Sequence, residues 1–82
     1  MIKIRENFQK GVLDKRITVI GLGLSGKAVS ILANHLGAIV YASDSGSSEE
    51  ITLNAAELMH QHHIASETGV HSSKIFDSDL WI

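Results

Sequence analysis

Between Arg16 and Leu36 the chain changes its hydrophobic period once, and it does so across six residues, Gly21-Leu22-Gly23-Leu24-Ser25-Gly26. Before them runs Ile17-Thr18-Val19-Ile20, a β-branched stretch with the character of a strand buried on both faces. After them Leu24, Ala28, Ile31, Leu32 and Leu36 recur at three- and four-residue spacing, which predicts a helix with one apolar stripe laid on a sheet. A strand, a three-glycine turn and a helix in that order form a phosphate-binding turn. Gly21 lets the chain leave the strand, Gly23 removes the Cβ that would hold a diphosphate off the backbone, and Gly26 lets the helix pack closely on the strand. The start of such a helix carries unpaired N–H groups and the positive end of the dipole, so an anion is its natural guest.

The remainder follows the same alternation. Gly37 closes the first helix as a left-handed cap, and Ala38 to Ser43 form a second parallel strand ending at Asp44, reached by a right-handed crossover. Ser47 and Glu50 have capping-box spacing at the start of a second helix, whose face is Ile51, Ala55, Leu58, Met59 and His62. Ile64 to Thr68 read as a short third strand with Gly69 as its turn, His71 to Ser78 hold a brief helical turn, and Leu80-Trp81-Ile82 start a further apolar run. The fold class is therefore α/β, a Rossmann-like open parallel sheet with flanking helices and the Arg16–Ile20 strand at its centre. A fourth strand belongs beside the first on its open side, so the chain is expected to be one domain over residues 1–82, cut after the start of strand four. Leu80 to Ile82 are then either an incomplete central strand or an exposed edge. Met1 to Lys15 form either a short lead-in strand or a helix.

Composition excludes several function classes. Seven basic and nine acidic residues leave a net charge of -2, too little positive charge for a nucleic-acid surface. No apolar run approaches the roughly 20 residues of a membrane span, and Met1 to Lys15 lack the apolar core of a signal peptide. The absence of cysteine removes disulfides and thiolate metal sites and fits a cytosolic protein.

Asp44 stands about 20 residues beyond the glycine turn, at the tip of the second strand, where a carboxylate accepts hydrogen bonds from a nucleotide. Its competing role is an Asx turn within its own loop, 44–48. Ser45 adjoins it and can donate to the same ligand. Gly21 to Lys27 also read as the opening of an ATP-binding P-loop, but the position that needs a hydroxyl for magnesium is Ala28. Lys27 is then either a cation near a phosphate or a solvated surface residue. Ser25 is not in a nucleophile elbow, because Lys27 replaces the closing glycine. His60, His62 and His63, with His71 and Glu67 downstream, do not have metal-ligand spacing, and histidines near a helix C-terminus are favoured by the dipole alone. No metal is expected.

Lys15 to Ile20 leading into Gly-Leu-Gly-Leu-Ser-Gly, the Ala42-Ser43-Asp44 strand end, and Thr68-Gly69 followed by Asp79 to Ile82 resemble the N-terminal domain of the Mur ligase family, in its D-glutamate-adding branch. The likeness runs from about residue 12 to the end. It implies a domain that binds the UDP part of UDP-N-acetylmuramoyl-L-alanine instead of a dinucleotide. By position, Leu24 and Ser25 would lie against uracil and diphosphate, and Gly23 to Gly26 would offer amides to phosphate. Asp44 and Ser45 would meet the uracil edge, and Gly69 would let the third strand's loop approach the base. Some members carry a basic residue two positions after the acid, where this chain has Gly46. The resemblance places ATP, magnesium and every catalytic residue in later domains of a parent chain, so these 82 residues are expected to bind without catalysing and to hold no cofactor. The rival reading is the NAD-binding domain of an oxidoreductase or a nicotinamide-sensing regulator, with Asp44 on the ribose.

Overall fold

Three consecutive buried residues, Ile17, Thr18 and Val19, make β1 (Arg16–Ile20) a strand that must be covered on both faces and both edges. In the computed structural model, which describes residues 13–82, it pairs in parallel with β2 (Ile39–Asp44) on one side and with β4 (Leu80–Trp81) on the other. β3 (Ala65–Thr68) adds in parallel to β2, giving the order β3-β2-β1-β4. The expected central strand, the all-parallel sheet and the place of the fourth strand are all present. Of the lead-in segment, residues 1–12 lie outside the described residues, and Asp14 closes a turn by donating its N–H to Gly37 O at 3.0 Å.

Partners in a parallel ladder share a face, so the register sorts the sheet into two surfaces. Ile17 with Val40 and Val19 with Ala42 face one way, toward α1 (Leu24–His35) and α2 (Glu49–His62). There they meet Leu22, Ala33, Leu36, Leu58 and Ile64 in the apolar core. Thr18 with Tyr41, and Ser43 with Glu67, face the other way. Among the described residues this second face is covered only by the segment from Gly69 to Asp79 with its 3-10 turn, Ser73–Phe76. Its attachment is polar: the Thr18 hydroxyl donates within 3.0 Å of Ile75 O and 2.8 Å of Ser78 Oγ, and the Trp81 indole N–H donates to Ile75 O at 2.7 Å.

Helix α1 uses only part of the expected stripe: Ile31 packs against the core and Leu36 lies in it just past the helix end. Leu24 and Leu32 are 71% and 50% exposed, while Ser30 and Ala33 are buried against the sheet. The helix lies too close to β1 for large side chains: a Cβ on Gly26 would stand 1.9 Å from Gly21 O. Small residues line that contact, and the buried Ser30 hydroxyl is satisfied by donating to Gly26 O at 2.8 Å. Helix α2 corrects the expectation at both its start and its face. Its cap is Ser48, whose hydroxyl accepts from Ile51 N at 3.2 Å, one residue later than the Ser47–Glu50 pairing. Its inward face includes Asn54 and Leu58, whereas Met59 is exposed.

The second glycine of the turn can be told from the third by substitution. Gly26→Ala is expected to lower unfolding free energy by about 2–3 kcal/mol, the usual cost of overpacking or more. Gly23 has an ordinary φ of -69° and open space around its Cβ position, so Gly23→Ala is expected to leave stability within about 0.5 kcal/mol. Urea unfolding of the two variants checks the contrast.

Candidate nucleotide-binding site

The carboxyl ends of β1, β2 and β3 carry the residues singled out in the sequence, and backbone bonds tie them together. Gly21 N donates to Ser43 O at 2.7 Å, and Leu22 N donates to Asp44 Oδ2 at 2.7 Å. From α2 the buried Asn54 amide donates to Leu22 O at 2.8 Å. The first half of the glycine turn is thus fastened on three sides.

The second half is open. Gly23 caps α1 in an extended conformation with no side-chain hydrogen bond, and the first helical turn contains no acidic residue. Gly23 O accepts the first helical bond from Lys27 N at 3.0 Å, whereas the N–H groups of Leu24, Ser25 and Gly26 have no acceptor among the described residues. Gly23, Leu24 and Ser25 are exposed there. Donors and dipole therefore converge on an edge that accommodates an anion. Lys27 does not join them: its ammonium pairs with Glu57 at 3.3 Å, bracing α1 against α2, so it is neither a free surface lysine nor a phosphate ligand.

Of the two roles weighed for Asp44, the structure carries the Asx turn, and it adds a bond to the glycine turn that the sequence did not suggest. Oδ2 holds the glycine turn through Leu22, and Oδ1 accepts Gly46 N at 2.7 Å in an Asx turn. These two amides hold its carboxyl below the usual range, outweighing burial, and the charge of nearby His71 adds to the effect. Ser45 is exposed beside it. Gly69, with φ +80°, donates its N–H to Gly46 O at 2.9 Å, so the loops after β2 and β3 are joined at the same edge.

A polar cluster on the second sheet face adjoins this edge. The Glu67 carboxylate accepts from the Tyr41 hydroxyl at 2.7 Å, the Ser43 hydroxyl at 2.6 Å, the Ser72 N–H at 2.7 Å and the Ser72 hydroxyl. Burial alone would raise its pKa, but the Ser43, Ser72 and Tyr41 hydroxyls and the Ser72 amide hold it at about 2. Burial, with the hydrogen bond to Glu67 and its charge, pushes the Tyr41 phenol up to about 12. The signal for this cluster was Tyr41, Ser43 and Glu67 at alternate positions in strands otherwise read as apolar. Asn54 carried no signal, being one polar residue within an apolar face. Among the described residues no group of His, Asp or Glu could hold a metal, and no helix is long and apolar enough to cross a membrane. A separate cavity of about 370 Å³ opens between Arg16, Ile39, Tyr41 and Ala65, near the amino ends of the strands and away from the glycine turn.

An open parallel sheet whose first strand passes through a glycine turn into an uncapped helix has the Rossmann-like α/β fold. Sequence comparison narrows the class. The chain is 35% identical over 71 residues to a UDP-N-acetylmuramoylalanine--D-glutamate ligase of Chlorobium chlorochromatii (strain CaD3), covering 87% of this chain and 15% of the relative. It is 38% identical over 67 residues to the ligase of the same name from Lactococcus lactis subsp. lactis (strain IL1403), covering 82% and 14%. No protein-family model matches the chain. The chain belongs to the Mur ligase family, matching the N-terminal part of its D-glutamate-adding members. It spans about 15% of the length of these curated relatives.

The Glu67 cluster makes stability depend on acid. A carboxyl lowered from 4.5 to about 2 contributes stability that is complete above about pH 4.5 and is lost as pH falls toward 2. Chemical unfolding near pH 7 and near pH 3 should show a smaller acid loss in Glu67→Gln than in the unaltered chain.

Proposed function

We propose that this chain binds the uridine diphosphate end of UDP-N-acetylmuramoyl-L-alanine, as the N-terminal domain of a ligase that adds D-glutamate to that cytoplasmic precursor. The observation that carries the reading is the row of amides at Leu24, Ser25 and Gly26, without an acceptor among the described residues, at the carboxyl edge of the central strand in a chain related to such ligases. A diphosphate needs several aligned donors and no side chain between them and its oxygens, and Gly23 leaves that space clear. Ser25 adds an exposed hydroxyl. Each Asp44 oxygen keeps a lone pair after accepting one amide, so Asp44 and Ser45 together present an acceptor and a donor to the uracil edge. Gly69 holds the third loop close without a side chain.

In this reading ATP and magnesium act in the parent enzyme, on later domains. Acyl-phosphate formation and amine attack need phosphoryl-transfer groups that Gly21 to Ala28 do not supply, so the chain by itself binds and does not catalyse. Binding is weak, because a ligand enclosed by several domains meets one open surface here. The NAD reading shares the glycine turn and assigns Asp44 to a ribose diol; it has less support because the relatives are named as UDP-N-acetylmuramoylalanine--D-glutamate ligases.

Titration with UDP, UDP-N-acetylmuramoyl-L-alanine and NADH, followed by amide NMR, tests the proposal. UDP ligands should shift the amides of Gly23 to Gly26. Gly23→Ala, which leaves the fold intact, should weaken UDP binding by about tenfold by filling the phosphate approach. Binding of NADH without UDP would overturn the assignment.

A further inference from the structure

The Ser43 hydroxyl lies between two partners, 2.6 Å from Glu67 Oε2 and 2.7 Å from His71 Nδ1. It has one hydrogen to give. Glu67 is ionised at neutral pH and can only accept, and the short contact to it takes that hydrogen in preference to the alternative acceptor, Val70 O at 3.4 Å. Ser43 Oγ must then accept from His71, so the proton of the neutral imidazole sits on Nδ1 and Nε2 carries a free lone pair. Ser43 is fully buried and gives its hydrogen to the carboxylate, so the three groups are not a hydrolytic triad. They are a chain of oriented hydrogen bonds ending on an exposed histidine.

The ring lies where a nucleotide would be met. Ser43 is the last residue before Asp44, and its carbonyl accepts Gly21 N at 2.7 Å, so the chain of bonds is attached to the glycine turn itself. His71 is also near enough to Asp44 to interact with that carboxylate. The loop bearing it is fixed on both sides of the ring, at Gly69 by Gly46 O and at Ser72 by Glu67. Ionised acceptors at this edge are already engaged by backbone amides, which leaves His71 Nε2 as a neutral acceptor without a partner among the described residues.

We propose that His71 is a further nucleotide-binding residue, with Glu67 as its positioning residue: acting through Ser43, Glu67 holds the imidazole so that Nε2 accepts a hydrogen bond from a nucleoside donor. The donor is either a ribose hydroxyl or the imide N–H of the base. This rests on the UDP reading above for the ligand, while the tautomer stands on the protein alone.

The test has two arms. Long-range proton–nitrogen NMR of the 15N-labelled chain near pH 8 should show His71 protonated at Nδ1. In Glu67→Gln the carboxamide N–H₂ can donate to Ser43, freeing its hydroxyl to donate to Nδ1, and the tautomer should move to Nε2–H. Should that variant fail to fold, Ser43→Ala removes the middle link and should abolish the Nδ1–H bias. An Nε2–H tautomer in the unaltered chain, or one insensitive to both substitutions, overturns the positioning role. In the second arm His71→Ala should weaken UDP binding by about 3- to 10-fold, the range of one hydrogen bond. With 2′-deoxy-UDP the loss should vanish if the ribose is the donor, and with N3-methyl-UDP if the base is. UDP binding unchanged by His71→Ala overturns the contact alone. A chain that does not bind UDP at all overturns the contact together with the UDP reading, and the tautomer measurement still decides the relay.

Discussion

The structure depends on how near α1 comes to β1. With Gly26 against the carbonyl of Gly21, the helix axis is drawn toward the strand until only hydrogen atoms separate the two backbones. That approach aims the first amides of the helix along the sheet edge, and it selects small residues for the buried side of α1. It also leaves Leu22 at the centre of the core, sealed by Asn54 above and Asp44 beside it. Binding geometry and packing are one constraint here, because the same contact sets both.

The features legible in the sequence were those governed by local chemistry. A β-branched run bounded by glycine gives a strand whatever lies around it, so β1 was located to the residue and β2 to within one residue at each end, and Leu80 to Ile82 were placed on the correct side of β1. The helix faces were less legible. Reading a stripe from Leu24, Ala28, Ile31, Leu32 and Leu36 assumes that a helix buries its largest residues; Ile31 and Leu36 do pack on the core, but Leu24 and Leu32 face out and serine and alanine are buried, because the distance from the sheet was set by Gly26. The cap of α2 slipped by one residue because Ser45, Ser47 and Ser48 offer similar hydroxyls, and only the path of the chain chooses among them.

At the candidate site, the glycine turn and Asp44 were legible because each has a spacing with a physical reason, whereas Ser45 was named by adjacency and Gly69 from the family resemblance. The Glu67 cluster was not legible, since it joins Tyr41 and Ser43 to a residue more than 20 positions away through strand pairing. Asp44 shows how a single carboxylate can serve structure first: it ties the end of β2 to the exit of β1 and turns its own loop. Any ligand contact it makes uses the capacity that remains.

The two faces of the sheet are held by different means. The helical side is cemented by close-packed hydrocarbon, whereas the other side is pinned at a few polar points, with the Thr18 hydroxyl, the Ser78 hydroxyl and the Trp81 indole all meeting the carbonyl of Ile75. A cover held by a few directed bonds depends on the identity of each donor and acceptor, whereas close-packed hydrocarbon spreads its stabilisation over many small contacts. The two faces therefore differ in how sharply a single substitution is felt, and the Glu67 cluster lies on the polar one.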